Sequence, residues 1–267
     1  MRQFILPADW DGGPTCRIEG GRAHYVARVL RLGPGDCFPA RDSGGAPWSC
    51  TVLRAEPDCL ILSVSAVEET SPEGAASVFL ADAFLSPRIV LVMGLPKGAK
   101  MDLVVRQATE AGVSAVVPLI SARSTARSEE SGPGRRTRWD RVVREALQQS
   151  GSSVVTKVLD PVSMTELPKA LDFLGLGPGC PRILLHEAPL AQSSMHGYLN
   201  QAPEALALCV GPEGGFSPAE VDFLAVAGFK PLRFAGAILR AETAALYAVA
   251  AAQIILSERS SWIPKPL

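Results

Sequence analysis

The residues able to do chemistry are concentrated between positions 208 and 247. Gly211-Pro212-Glu213-Gly214-Gly215 follows an apolar run, and a second small-residue turn, Ala235-Gly236-Ala237, follows another. Turns built of glycine and alanine let a flat ligand approach the backbone closely. Arg240, Glu242 and Thr243 stand just beyond the second turn, where an apolar helix begins. On pattern alone, a capped helix with a solvated arginine describes that cluster better than a ligand site does. A glycine-rich turn after a strand can bind phosphate, but no Gly-Lys-Ser/Thr follows, which excludes a P-loop. No G-x-S-x-G elbow is present, and with histidine only at 24, 186 and 196 a hydrolytic triad is not persuasive.

The elements that must position these residues are legible around them. Residues 205–210 read as a buried strand that empties into the first turn. Ser217, Pro218 and Glu220 spell a capping box with proline at the first helical position, and Gly228 ends that helix. Residues 231–235 read as a second strand. Upstream, strands at 88–93, 114–119, 154–159 and 183–185 alternate with helices at 101–111 and 137–149. Gly112 and Gly151 stop the two helices, and Thr137 is the expected cap of the second. This alternation is the signature of a largely parallel, helix-covered sheet.

The first 70 residues differ. They read as short strands at 17–19, 50–53 and 59–64, with a brief helix at 24–30 and a turn at 32–36. Residues 68–76 are polar with Pro and Gly and read as a linker. The expected domains are therefore 1–70, a small β domain, and 77–267, an α/β domain. Gly175-Leu176-Gly177-Pro178-Gly179 is a connector, since no helix pattern follows it.

Composition bounds the function. The chain has 267 residues, 47% of them hydrophobic, and a formal net charge of -1, so no global positive field announces a nucleic-acid partner. Local basic stretches remain, at Lys97 and Lys100 and along 121–138, where Arg123 and Arg127 lie. Six scattered cysteines without a CxxC pair argue against a metal site and for free thiols in a reducing compartment. The N-terminus lacks a signal-peptide pattern, and the most apolar run, 244–256, is too short to span a bilayer. A cytoplasmic protein, with no membrane association and no metal, is expected.

GPEGGFS-x-x-E, then a strand, then ILR-A-ET-A opening the last helix, resembles the RsmE family of the SPOUT superfamily. These enzymes methylate N3 of a uridine in bacterial small-subunit ribosomal RNA. The resemblance extends to HYVARVLRLGPGD from His24, KGAKMDLVVRQATEAGV from Lys97, and QQSG from Gln148. It implies a SPOUT-type trefoil-knotted α/β catalytic domain preceded by a small PUA-like β-barrel domain. It also implies S-adenosylmethionine as cofactor, a homodimer with each site completed by the partner, and ribosomal RNA or the small ribosomal subunit as substrate.

Carried over residue by residue, the cofactor loops are Leu185, His186 and Glu187; Val210, Gly211, Pro212, Glu213, Gly214 and Gly215; and Phe234, Ala235, Gly236, Ile238 and Leu239. Arg240, Glu242 and Thr243 are the implied catalytic residues. Uridine N3 must lose a proton as it gains a methyl, so Arg240 can stabilise the negative charge on the base. Glu242 can orient that arginine or take the proton. His24, Arg28, Arg31, Lys97, Lys100, Arg123 and Arg127 are the implied RNA contacts.

The chain departs from the family pattern at several positions. Ala237 stands where an arginine is usual, Ala241 where a threonine is, and Gln107 where a lysine is. Gln148 and Ser152 replace a carboxylate and an arginine. These losses bear on target and partner contacts more than on the fold. They keep two alternatives open: a SPOUT enzyme acting on another RNA such as tRNA, and a non-catalytic RNA-binding relative.

Overall fold

In Thr15–Glu19 every second residue is buried, the period of a strand covered on one face only. It belongs to a five-stranded sheet formed by Phe4–Ile5 (β1), Thr15–Glu19 (β2), Cys37–Arg41 (β3), Pro47–Glu56 (β4) and Cys59–Ala66 (β5). The strand order is β1-β3-β4-β5-β2, antiparallel except for β1 on β3. A register shift between Val52 and Arg54 curls the long β4–β5 ribbon. The concave face closes over Phe4, Ile18, Val26, Phe38, Leu60 and Leu62.

The computed structural model describes residues 4–56, 58–67, 87–124, 134–188, 190, 193–201, 203–236 and 238–261. It divides into two units, Met1–Phe84 with Arg144–Val155, and Leu85–Val143 with Thr156–Leu267. The linker expected at 68–76, and with it the boundary between 70 and 77, lies outside the described residues, as do Arg127 and Ala237.

In the second unit, seven strands lie parallel: Arg88–Gly94 (β6), Ala115–Ile120 (β7), Lys157–Val158 (β8), Val162–Ser163 (β9), Arg182–Leu185 (β10), Ala205–Val210 (β11) and Phe229–Leu232 (β12). Their order is β12-β10-β11-β6-β7-β8, with β9 also paired to β7. The central strands β6 and β11 are buried on both faces, as a parallel sheet requires.

The helices of the chain are Gly21–His24 (α1), Lys100–Glu110 (α2), Gly134–Ser150 (α3), Leu167–Phe173 (α4), Met195–Tyr198 (α5), Pro218–Val226 (α6) and Ala241–Ser261 (α7). One face of the parallel sheet, carrying Val90, Val92, Val117, Ala207 and Cys209, packs on Leu167 and Leu171 of α4 and Leu224 of α6. Against the other face lies α7, which packs on β6, β11 and α2.

Several elements differ from the sequence reading. The short helix begins at Gly21 and widens into a π-helical turn at Tyr25–Val29, with Arg31 at φ 58 ending it. Thr137 does not cap α3, because the helix starts a turn earlier at Gly134. Arg135 lies over the Trp139 ring at 5.7 Å, an i,i+4 pair that supports this extra turn. The strand expected at 154–159 is reduced to β8. The strand expected at 231–235 is shifted, ending at Leu232 as an edge strand that tolerates Pro231. All six cysteines are free; burial pushes the Cys50 thiol up to about 12 and raises that of Cys209 as well.

Gly94, at the end of β6, fixes how closely the turn after β11 can approach. A Cβ there would lie 2.5 Å from Pro212 Cδ and 2.6 Å from its backbone nitrogen. Gly94→Ala should therefore destabilise the fold by about 1–3 kcal/mol, read from urea unfolding. An unchanged midpoint would show that the turn at 211–212 gives way freely.

Candidate functional site

Strands β10, β11 and β12 are in register at their C-terminal ends, Leu185 lying beside both Val210 and Leu232. Their three following loops therefore leave the sheet at one edge, the position where open parallel sheets bind ligands. Between them is a cavity of about 500 Å³.

Twelve of the fourteen residues assigned to the cofactor loops line it. Leu185, His186 and Glu187 come from the loop after β10. Val210, Gly211, Pro212, Glu213 and Gly215 come from that after β11, and Phe234, Gly236, Ile238 and Leu239 from that after β12. Gly214 and Ala235 do not line it; the Gly214 carbonyl instead accepts a hydrogen bond from Arg123. Phe216, Leu232, Arg233, Ala241 and Ala244 line the cavity too, and sequence reasoning missed them. Ala244 carried a signal, being a small residue one helical turn past Arg240.

The walls are mixed. Leu185, Val210, Phe216 and Leu239 give apolar surface, while Glu187, Glu213, Arg233 and Arg240 bring both charges to one volume. His186 Nδ1 accepts from the Ala188 N–H at 3.0 Å, placing the ring proton on Nε2. Such a site suits a flat heteroaromatic ligand that also carries charged groups.

The three residues assigned to catalysis do not share one surface. Arg240 lines the cavity and is exposed. Glu242 turns instead toward a small void between α2 and α7, beside Gln107 and Leu246. Thr243 is exposed. Arg240 precedes α7, while Glu242 and Thr243 are consecutive on it and point about 100° apart. The Glu242 Oε2 atom is buried with no hydrogen bond, its nearest cation being Lys100 Nζ at 3.7 Å. Of the assigned RNA contacts, His24, Arg28, Arg31, Lys97 and Arg123 are exposed and Lys100 is half-buried.

The turn 211–215 is held by groups from other elements. Glu213 accepts from Lys100 Nζ at 2.8 Å and from the Lys97 N–H at 3.3 Å. Arg123 Nη1 donates to the Gly214 carbonyl at 2.6 Å. Beyond the turn, the capping box forms: Ser217 accepts from the Glu220 N–H, and Glu220 accepts from the Ser217 N–H at 2.8 Å. The second Glu220 oxygen accepts from the Ala122 N–H at 2.6 Å. Burial works to raise the Glu213 pKa, but the hydrogen bonds from Lys100 and from the backbone of Glu213 and Lys97 outweigh it, holding the carboxyl below its ordinary value of 4.5. The hydrogen bond to Glu213 raises Lys100, aided by the charges of Glu213 and Glu242 and opposed by burial and by Arg240.

Comparison with known proteins agrees with this architecture. A family profile described as an RNA methyltransferase domain matches residues 85–253. The chain is 30% identical to ribosomal RNA small subunit methyltransferase E of Synechocystis, over 91% of this chain and 74% of that protein. It is 30% identical to ribosomal RNA small subunit methyltransferase E 2 of Borreliella burgdorferi, over 97% and 99%. The crystal structure of ribosomal RNA small subunit methyltransferase E from Neisseria gonorrhoeae bound to S-adenosyl methionine superposes with a TM-score of 0.75 at 26% identity. That match covers 96% of this chain and 98% of the other. The α/β class expected from the sequence is the one found. Among the described residues, no helix is long and apolar enough to cross a membrane, and no group of three or more His, Cys, Asp or Glu could hold a metal ion.

The lowered Glu213 pKa sets a sign for pH dependence. Its ionised form stabilises the fold above 4.5, and this contribution is lost as the pH falls through the lower folded value. The thermal midpoint of Glu213→Gln should lie below wild type by a constant gap between about pH 6 and pH 8, and the gap should close in acid. A gap that survives at about pH 2 would show that the carboxylate's charge is not what holds the turn.

Proposed function

Since the chain belongs to the RsmE family of SPOUT RNA methyltransferases, we propose that it methylates N3 of a uridine in small-subunit ribosomal RNA, using S-adenosylmethionine. The observation that carries this reading is the cavity at the ends of β10–β12, with Arg240 on its wall. Its volume is within the range of pockets that enclose a ligand of this size. Its apolar surface suits an adenine ring, and its opposite charges suit an amino-acid moiety. When bound, S-adenosylmethionine supplies an electrophilic methyl group.

The remaining work falls to this chain's own residues. Uracil N3 holds a proton and is a weak nucleophile, so that proton must leave as the N–C bond forms. The Arg240 guanidinium stabilises the negative charge that develops over N3 and the two flanking carbonyl oxygens as the proton leaves. Glu242, whose buried Oε2 accepts no hydrogen bond and lies 3.7 Å from the Lys100 ammonium, is the carboxylate assigned to take the proton. Its position off the cavity wall means that the base must enter from the α7 side, extruded from its stack or drawn from a single strand. Exposed His24, Arg28, Arg31 and Lys97 contact RNA backbone, which positions without reading sequence. Ribosomal RNA as substrate places the protein in the cytoplasm.

A homodimer is part of the same reading. Along α7, Tyr247 and Ile254, seven residues apart, are exposed on one side, and Tyr247 stacks edge-on against Phe234 of the cavity loop at 4.9 Å. This apolar strip reaches the site and fits a second copy. Sedimentation should give twice the monomer mass, and Ile254→Asp should shift it to monomer. A wild-type monomer would remove the dimer from the account.

Methyl transfer from labelled S-adenosylmethionine to purified small ribosomal subunits, followed by nucleoside analysis, tests the function. N3-methyluridine is expected. A different methylated nucleoside would contradict the assigned position, and no incorporation would contradict the activity. Arg240→Ala should lower turnover on the order of a hundredfold or more while leaving circular dichroism unchanged. Near-normal turnover would remove Arg240 from the catalytic group.

A further inference from the structure

Two cations that the sequence pattern assigns to RNA are occupied elsewhere. Lys100 opens α2, and Arg123 lies just past β7, yet both reach the turn between β11 and α6. Lys100 holds the Glu213 side chain and Arg123 the adjoining Gly214 carbonyl. We propose that Lys100 and Arg123 are positioning residues for the cofactor turn, setting affinity for S-adenosylmethionine and not for RNA.

The turn needs such support. Gly211, Gly214 and Gly215 give it little conformational preference of its own, and Gly215 sits at φ +66. Proline at 212 fixes one torsion, and Gly94 bounds one side of it. The remaining freedom is removed by the two cations and by the Lys97 N–H. The fit at Arg123 is close: a Cβ on Gly214 would lie 3.2 Å from Arg123 Cβ and 3.3 Å from its Cδ, so the arginine's stem as well as its charge lies along the turn. A charged donor on a carbonyl or carboxylate makes a stronger hydrogen bond than a neutral one. Ordering the turn before the cofactor arrives lowers the conformational cost of binding.

The two residues are not equivalent. Lys100 also lies 3.7 Å from Glu242 Oε2, so one ammonium joins the cofactor turn to the first turn of α7. Arg123 donates to the Gly214 carbonyl and, among the described residues, forms no ion pair with α7. Losing Arg123 should therefore act on cofactor affinity alone. Losing Lys100 should act on cofactor affinity and also on turnover, by releasing Glu242.

This inference rests on the reading that the cavity takes S-adenosylmethionine, and the experiment separates the two. Calorimetry of S-adenosylmethionine with the full chain, without RNA, is run on wild type, Lys100→Met, Lys100→Arg, Arg123→Met and Arg123→Lys. Filter binding to purified small-subunit ribosomal RNA is run in parallel. Absence of binding by wild type would overturn the cavity assignment itself. With wild-type binding intact, both methionine variants should weaken cofactor affinity on the order of tenfold, with RNA affinity within about twofold. At saturating cofactor, Arg123→Met should keep the wild-type kcat, Lys100→Met should lose turnover, and Lys100→Arg should recover most of it. Unchanged cofactor affinity in both methionine variants, or weakened RNA binding with cofactor affinity retained, would overturn the positioning role.

Discussion

A turn of three glycines and one proline cannot hold a shape by itself, and the structure depends on how turn 211–215 is restrained. Restraint begins in the sheet. β11 is buried on both faces and delivers Val210 to a fixed place beside Leu185 and Met93. Beyond Val210, the backbone of Pro212 presses against Gly94 so closely that any side chain at 94 would displace it. Glu213 is then tied from the β6 side and Gly214 from the β7 side, and the Ser217–Glu220 capping box anchors the exit. Caps of this kind contribute about 1 kcal/mol to a helix. Here the same Glu220 also accepts from Ala122, so the cap fastens the helix to a neighbouring loop.

From that restraint the chemistry follows. Three loops leave one sheet edge, and a volume of about 500 Å³ is left between them. The charged residues stand at different depths. Arg240 faces the cavity, and Glu242 sits behind it with one unsatisfied buried oxygen. Leaving a carboxylate oxygen without a hydrogen bond is costly in a folded protein, and here the Lys100 ammonium lies 3.7 Å from it.

The sequence made the local grammar of this fold readable. Residues 205–210 are the strand expected, Ser217, Pro218 and Glu220 form the expected cap, and Gly112, Gly151 and Gly228 take the positive φ that ends helices. Those signals are local, set by neighbours in the chain. Less legible was whatever depends on distant contacts. Thr137 is a good cap by type, but Arg135 stacking on Trp139 carries the helix past it. The tail of α3 and the loop to residue 155 group with the small sheet, Gly45 lying against the Ser153 carbonyl, which no periodicity announces. Lys100 and Arg123 read as RNA contacts because their partners within the fold lie 113 and 91 residues away. Phe216 and Arg233 join the cavity only through the register of three strands.

The most direct test of the central claim is a crystal structure of the chain with S-adenosylmethionine. The account predicts the ligand between the loops that follow β10, β11 and β12, against residues 211–215 and 234–239, with its methyl group directed toward Arg240. A ligand bound at another surface, or one in the cavity with its methyl turned away from Arg240, would contradict it.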